Sequence, residues 1–295
     1  MDKDRFSKRN FLSIPDEFSK LENSKFAVLP VPYEQTTTYR SGTRGGPAAM
    51  INASSQVELY DEELGFEPYR EGVYTLEDLK VTSLGPKYMN QTVYDVSGEL
   101  ICLKKKVIML GGEHSISFGM VKAYKEKYPK LSVLQLDAHA DLRDEYQGDK
   151  FNHACVMRRI REIAPTVQIG IRNLSKEEME YIKSQKDLVI FYAKDMASSD
   201  KWLDEAISLL SDEIYLTFDL DFLDPSIMPA VGTPEPGGFF WYPTINFLRK
   251  LTMRKKVVGF DMVELAPLPG MVAPDFLAAR LIYKLIGYIV AKENV

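Results

Sequence analysis

Seven short runs of β-branched and other apolar residues, separated by stretches of helical periodicity, limit the possible folds more than any other feature of this chain. They are KFAVLPVPYE (25–34), KKVIMLGG (105–112), LSVLQLDAH (131–139), TVQIGIR (166–172), DLVIFYA (187–193), EIYLTFDLD (213–221) and KVVGFDMVEL (256–265). Most are continuously apolar rather than alternating, which predicts strands covered on both faces. Between several of them lie amphipathic stretches: SFGMVKAYKEKYP, HACVMRRIREIA, SKEEMEYIKSQ, DKWLDEAISLLS and YPTINFLRKLTM. Ser175 and Asp200 are placed to cap two of these helices. Strand–helix alternation of this kind predicts a parallel sheet with crossover helices. With no internal repeat, linker or break in composition, the expectation is one α/β domain over 1–295. Periodicity does not separate an open sheet from a closed barrel, but both place chemistry beyond the carboxyl ends of the strands.

Composition narrows the partners. A chain of 295 residues with 45% hydrophobic content can bury a substantial core. A net charge of -5 argues against a nucleic-acid surface, which needs clustered Lys and Arg. The opening MDKDRFSKRNFLSIP carries no apolar core of signal type. The most apolar late segment, LIYKLIGYIV, is interrupted by Lys284 and too short to span a bilayer. Two cysteines, Cys102 and Cys155, make no disulfide framework and read as small buried hydrophobes or inert thiols. The expectation is a cytoplasmic protein with no membrane or nucleic-acid partner.

The polar residues of interest collect at the strand ends. The chain has three histidines, and all of them sit there: His114 after KVIMLGGE, His139 in DAHAD, and His153 after QGDKFN, where a helix is predicted to open. Gly111 and Gly112 are expected to form a tight turn that lets backbone approach a ligand. Asp137 and His139 are two apart, as are Asp219 and Asp221 in LTFDLDFLDP, and alternation along extended chain would point each pair to one side. Asp141 joins if the loop bends back. A plainer reading is that strand-end Asp residues bond to loop amides; that suits Asp224 before Pro225 but not two separate two-spaced acid patterns. Four acids converging without cations would repel, and some would hold protons. Two divalent ions would neutralise Asp137, Asp141, Asp219 and Asp221, with His114 and His139 each adding an imidazole. A carboxylate-rich set without thiolate suits Mn²⁺ better than a structural zinc site. Such a pair of ions activates water at neutral pH.

GGEHS (111–115), DAHAD (137–141) and DLDFLDP (219–225) resemble the three metal motifs of the ureohydrolases, the arginase and agmatinase family. The resemblance extends to GTPEPGG (232–238), FDMVELAP (260–267) and, upstream, YRSGTRGGPAAMINAS, so it covers nearly the whole chain. It implies an open, mostly parallel sheet flanked by helices in an arginase-like three-layer α/β/α fold, assembled as a homo-oligomer, a trimer or hexamer. It implies two Mn²⁺ per chain. His114, Asp137, Asp141 and Asp219 would hold one; Asp137, His139, Asp219 and Asp221 would hold the other, with Asp137 and Asp219 bridging. Glu264 matches the glutamate that receives the guanidinium, and His153 the proton-shuttling histidine; Asp141 would hold the nucleophile's proton.

Physical chemistry agrees with those roles. A carboxylate meets a planar guanidinium with two parallel hydrogen bonds, and Glu264 ends the strand KVVGFDMVEL. Asp261 competes for the role, but its place inside the strand reads as structural. His153 is the histidine not needed as a ligand, and an imidazole suits protonation of a leaving amine.

The loop LRDEYQGDKFN, rich in acids, favours a substrate with a cationic distal end, with Asp144 and Glu145 as candidates, although a solvated acidic loop is the favoured reading for each. GTPEPGG also looks more like agmatinases than arginases, so agmatine, hydrolysed to putrescine and urea, is the first choice. Where agmatinases have HGT followed by Phe, this chain has HACVMRR. The departure at Ala154 and Cys155 keeps N1-aminopropylagmatine and guanidinobutyrate in view, with arginine behind them. A metal-binding assembly protein without turnover and a single-metal deacetylase are the remaining alternatives. The full set of ligand positions, with Glu264 and His153, disfavours the first; the paired motifs disfavour the second.

Overall fold

The computed structural model describes residues 9–196 and 201–294. Eight strands form one sheet: β1 (Phe26–Val31), β2 (Val73–Thr75), β3 (Lys106–Gly111), β4 (Ser132–Leu136), β5 (Thr166–Ile171), β6 (Val189–Tyr192), β7 (Glu213–Asp219) and β8 (Lys256–Val263). Their order is β2-β1-β3-β8-β7-β4-β5-β6, and every pairing is parallel. The sheet is open, which answers the question that periodicity left. All seven predicted strands are present. The added one, β2, is a three-residue edge strand, too short to carry a pattern.

Helices α1 (Gly46–Ser54), α2 (Pro86–Cys102), α3 (Ser117–Lys127), α4 (Val156–Arg161), α5 (Lys176–Ser184), α6 (Ala193–Met196), α7 (Lys201–Ser208), α8 (Trp241–Arg254) and α9 (Ala273–Glu293) cover the sheet. Two apolar clusters lie on its opposite faces, and the strands feed them alternately. Phe26 and Val28 of β1 join one cluster with side chains of α1, α7, α8 and α9. Ala27, Leu29 and Val31 join the other with side chains of α2, α3 and α4. Burial on both faces is why these strands read as continuous apolar runs.

Ser175 caps α5 in a capping box with Glu178, as its position predicted. Asp200 lies outside the described residues. LIYKLIGYIV belongs to the 21-residue α9, and among the described residues no helix is long and apolar enough to cross a membrane. Cys155 is buried, its thiol pushed up to about 12 chiefly by burial; Cys102 is exposed, so of the two only Cys155 is a buried hydrophobe.

The topology also locates the site. β3, β8, β7 and β4 are four adjacent central strands, yet β3 and β4 are successive in the chain. The chain crosses the sheet one way through β1, β3, β4, β5 and β6, and β7 and β8 return to fill the gap between β4 and β3, so the order reverses within these four strands and leaves a crevice at their carboxyl ends.

Candidate metal centre

Each of the four central strands delivers part of one cluster. His114 opens a 3-10 turn just past β3, Glu264 follows β8, Asp219 ends β7 with Asp221 beside it, and Asp137 follows β4. Strand alternation is not what pairs the acids, because β4 stops at Leu136 and β7 at Asp219. Each first acid instead accepts the amide of the residue two further on. Asp137 Oδ1 takes His139 N–H at 2.6 Å, and Asp219 Oδ1 takes Asp221 N–H at 2.9 Å. Asp221 Oδ1 accepts from Ala138 N–H at 3.0 Å. The plainer reading of strand-end acids is thus half right: one oxygen holds the loop and the other faces the cluster.

Those second oxygens converge on the imidazoles. His114 Nδ1 lies 3.1 Å from Asp137 Oδ2, 3.2 Å from Asp141 Oδ2 and 3.3 Å from Asp219 Oδ2. His139 Nδ1 lies 2.8 Å from Asp221 Oδ2 and 3.6 Å from Asp137 Oδ1. Among the described residues, two groups have ligand atoms close enough to hold an ion: His114, Asp137 and Asp219, and Asp137, His139 and Asp221. Asp137 is common to both. Asp141 meets the first group through His114, on backbone in the left-handed region (φ 52°).

The chemistry of this set fits cations. His114 Nε2 lies 2.8 Å from Thr217 Oγ1, whose hydroxyl donates to Asp261 Oδ1 at 2.7 Å. Thr217 has one proton, so Nε2 is the donor and Nδ1 is the nitrogen that can offer a lone pair to a metal ion. Among the described residues that nitrogen is buried without a hydrogen-bond partner, facing three carboxylate oxygens, where it can take a metal ion or, without one, a proton. Burial pushes Asp141 up to about 7, with the charge on Asp137 adding to it. Asp219 is held well above the usual carboxylate range by burial and by Asp221 and Asp137. Burial opposes charge on Asp137 too, but His114 and His139 hold it low. Burial likewise opposes charge on the two imidazoles, yet the surrounding acids hold both well above their ordinary range. Protons thus occupy a site whose donors would otherwise all be anionic or lone-pair atoms, and metal ions are what such donors accept in exchange.

Glu264 also sits on left-handed backbone (φ 67°), an arrangement that costs energy and clusters at functional sites. Its Oε1 accepts His114 N–H at 2.6 Å, and its own N–H bonds to Gly112 O at 2.9 Å. Burial pushes its carboxyl up to about 8, against the His114 N–H and with help from nearby Glu113. His153 opens a short 3-10 turn ahead of α4, and Asn152 accepts from Ala154 N–H there. Burial, with His139 and His114 nearby, pushes its imidazole down to about 4. One cavity is lined by His114, His139, Asp141, His153, Asp219, Asp221 and Glu264, seven of the eight predicted site residues; Asp137 is fully buried and does not line it.

Other expectations are corrected. Gly111 and Gly112 serve close approach within the protein rather than a ligand-facing turn. A Cβ on Gly112 would lie 1.9 Å from Tyr33 O, and one on Gly111 would lie 2.5 Å from Val263 Cγ1. Asp144 is taken by Arg159 at 2.6 Å, which also holds its carboxyl below the usual range, and Glu145 is exposed. Neither lines the cavity. Glu178 does, and sequence reasoning passed over it although the S-x-x-E spacing of its capping box was visible. Glu178 is buried, with Oε1 accepting Leu142 N–H at 2.9 Å and Oε2 accepting Ser175 N–H at 2.7 Å. Asp261 is structural, as expected, but through Thr217 it also sets the orientation of His114.

The model of the arginase family matches residues 24–287. The chain belongs to that family. It is 42% identical to an N(1)-aminopropylagmatine ureohydrolase of Synechocystis, with 96% of each chain aligned. It is 33% identical to an agmatinase of Pyrococcus horikoshii over 90% of this chain and 93% of the relative. Among solved structures, the agmatine ureohydrolase of Thermoplasma volcanium superposes with a TM-score of 0.90 at 31% identity, covering 99% of this chain and 98% of that one. The arginase-family chain is accordingly a metal-dependent hydrolase that splits a guanidino compound into urea and an amine.

Proposed function

We propose that this family member acts as a single catalytic domain on a guanidino substrate with a cationic tail, with agmatine as first choice and putrescine and urea as products. The observation that carries the reading is that two buried carboxylates, Glu264 and Glu178, line the same cavity as the acid–imidazole cluster. One can receive a guanidinium and the other an amine. N1-aminopropylagmatine is the second reading, favoured by the 42% identical relative of that name.

The ligand set proposed is His114, Asp137, Asp141 and Asp219 for one ion, and Asp137, His139, Asp219 and Asp221 for the other. The spacing in the structure supports Asp137 as a bridge; Asp219 is grouped with the first set. Two Mn²⁺ per chain suit these hard oxygen donors and imidazoles. When bound, the ions supply Lewis acidity and a water of lowered pKa.

The chain's own residues do the rest. Glu264 accepts two guanidinium N–H groups and is restored to its anionic form by the cation it binds. Asp141 takes a proton from the attacking water, and His153, neutral beforehand, takes up that proton and passes it to the departing amine nitrogen as its bond to carbon breaks. Orientation of the guanidinium carbon by Glu264 supplies much of the gain in rate. A homo-oligomeric, cytoplasmic enzyme of polyamine synthesis completes the proposal.

The test is urea release with Mn²⁺ from agmatine, N1-aminopropylagmatine, guanidinobutyrate and arginine. Agmatine or its aminopropyl derivative is expected to be turned over fastest. Arg143 Nε stands 4.0 Å from Glu178 Oε2, so a carboxylate tail is the informative competitor. Preference for guanidinobutyrate or arginine would overturn the role of Glu178, and no urea from any compound would overturn the whole reading.

A further inference from the structure

The ring of His153 is tied to a residue outside the metal cluster. Its Nδ1 lies 3.1 Å from Thr36 Oγ1, and its backbone N–H donates to the same oxygen, also at 3.1 Å. Thr36 Oγ1 lies 2.8 Å from Glu113 Oε1. Glu113 is fully buried, and each of its oxygens has two donors. Oε2 accepts Gln35 N–H and Thr36 N–H at 2.6 Å each, while Oε1 faces the hydroxyls of Ser115 at 2.6 Å and Thr36 at 2.8 Å. Four donors match the four lone-pair positions of an ionised carboxylate.

Thr36 has one hydroxyl proton to give. If that proton went to His153 Nδ1, two acceptor oxygens would face each other across 2.8 Å at a buried carboxylate, an unmade hydrogen bond of the costly kind. The proton therefore goes to Glu113. Thr36 Oγ1 is left as an acceptor, and its two lone pairs meet the two His153 nitrogens that approach it. We infer that Glu113 and Thr36 together fix the tautomer of His153, with the proton on Nδ1 and the lone pair on Nε2.

Glu113 and Thr36 are thus positioning residues that act through His153. Proton uptake and release both take place at Nε2, while Nδ1–H stays on Thr36 throughout. The close contact allowed by Gly112 serves this arrangement, because Glu113 N–H bonds to Tyr33 O at 2.9 Å and so holds the segment carrying Thr36. The inference rests on the acid–base role proposed for His153 only where it concerns turnover; the tautomer itself rests on the hydrogen bonds.

With only three histidines in the chain, the tautomer can be read directly. Protein with ¹⁵N-labelled histidine, loaded with diamagnetic Zn²⁺, is examined by long-range ¹H–¹⁵N correlation at about pH 8, where an ordinary imidazole is neutral. His153→Asn identifies the His153 signals. The expected pattern is a protonated Nδ1 and an unprotonated Nε2; the opposite tautomer overturns the inference. Thr36→Val is expected to mix the two tautomers. It should lower kcat by roughly tenfold or more with metal content kept and KM changed little. Thr36→Ser should recover most of kcat. Wild-type kcat and an unchanged tautomer in Thr36→Val would overturn the inference. Full activity in His153→Asn would instead remove the acid–base reading of His153, and the spectrum of the wild-type protein would still decide the roles of Thr36 and Glu113.

Discussion

Thr217 Oγ1 lies 2.8 Å from His114 Nε2, in the middle of strand β7 and fully buried. In the proposed centre, that contact decides which nitrogen of His114 would be offered to a metal ion. Thr217 passes its own proton to Asp261, so it can only accept from the imidazole, and Nδ1 is left free to face the acids. Partners of this kind orient metal-binding histidines and raise their basicity.

Thr217→Val keeps the shape of the side chain and removes the acceptor. It is expected to weaken metal binding by roughly 10–100-fold. Titration of the chelator-treated protein with Mn²⁺, followed by calorimetry, measures this. Unchanged affinity would mean that burial alone orients His114.

Glu264→Gln separates substrate binding from metal binding. Glutamine keeps an amide oxygen for the His114 N–H, now held at 2.6 Å, so metal content should stay at the wild-type level. The guanidinium loses its anionic partner, and kcat/KM should fall on the order of 10–100-fold, as expected for hydrogen bonds to charged groups. Near-normal kinetics would exclude Glu264 as the guanidinium clamp, and loss of metal would show that it mainly supports His114.

The parts of this protein that were legible in the sequence are those whose cause is local. Continuous apolar runs announced seven strands because burial on both faces leaves no polar positions. The acid and histidine pairs were legible because their two-residue spacing is fixed by a turn within three residues. What was not legible depends on chain brought together from afar. Thr217 looks like any strand threonine until Asp261, 44 residues on, and His114, 103 residues back, are packed beside it. Thr36 meets His153 across 117 residues. Asp144 looked free to read a substrate because Arg159, 15 residues later, does not announce itself as its partner.

Lys284 belongs to the same class. In sequence it only interrupts an apolar segment; in the fold it is 2% exposed on α9, with Nζ 2.8 Å from Asp61 Oδ1 and 3.1 Å from Glu63 Oε2. Asp61 is itself fully buried. Lys284→Met keeps most of the packing but leaves that carboxylate without its cation. The expected loss is about 3–5 kcal/mol in unfolding free energy, the range for removing one partner of a buried pair. Urea denaturation gives the value, and Lys284→Met with Asp61→Asn should lose less than the two single changes added together. A loss under about 1 kcal/mol in the single variant would place the pair in the class of exposed ion pairs.

In the proposed metal centre, protons and metal ions would compete for the same oxygens, and this gives a pH dependence of definite sign. Asp141 is pushed up to about 7, and Asp219 and Asp221 are also raised, all chiefly by burial, while the acids hold His114 and His139 above their ordinary range against burial. After chelation, the folded chain therefore binds protons that the unfolded chain has released. The raised carboxylates contribute stability that is full below about pH 4, and the raised imidazoles stability that is full below about pH 6.5, their ordinary values; each contribution is lost as pH rises through the raised value, about 7 for Asp141. Asp137, held low beside the two imidazoles, and His153, pushed down to about 4 chiefly by burial, act in the opposite direction; Asp137 is ionised in both states above about pH 5, and His153 opposes as one group against several up to about its ordinary value near 6.5. Between about pH 5 and 8 the raised groups dominate, so Tm of the chelated protein should fall with rising pH. The increment in Tm on adding Mn²⁺ should grow over the same interval, because fewer protons must be displaced. Calorimetric titrations in buffers of different ionisation enthalpy should show proton release on metal binding, larger at the acid end. A constant increment with no proton release would mean that the acids of the cluster are already ionised before metal arrives, and that something other than protons balances their charge.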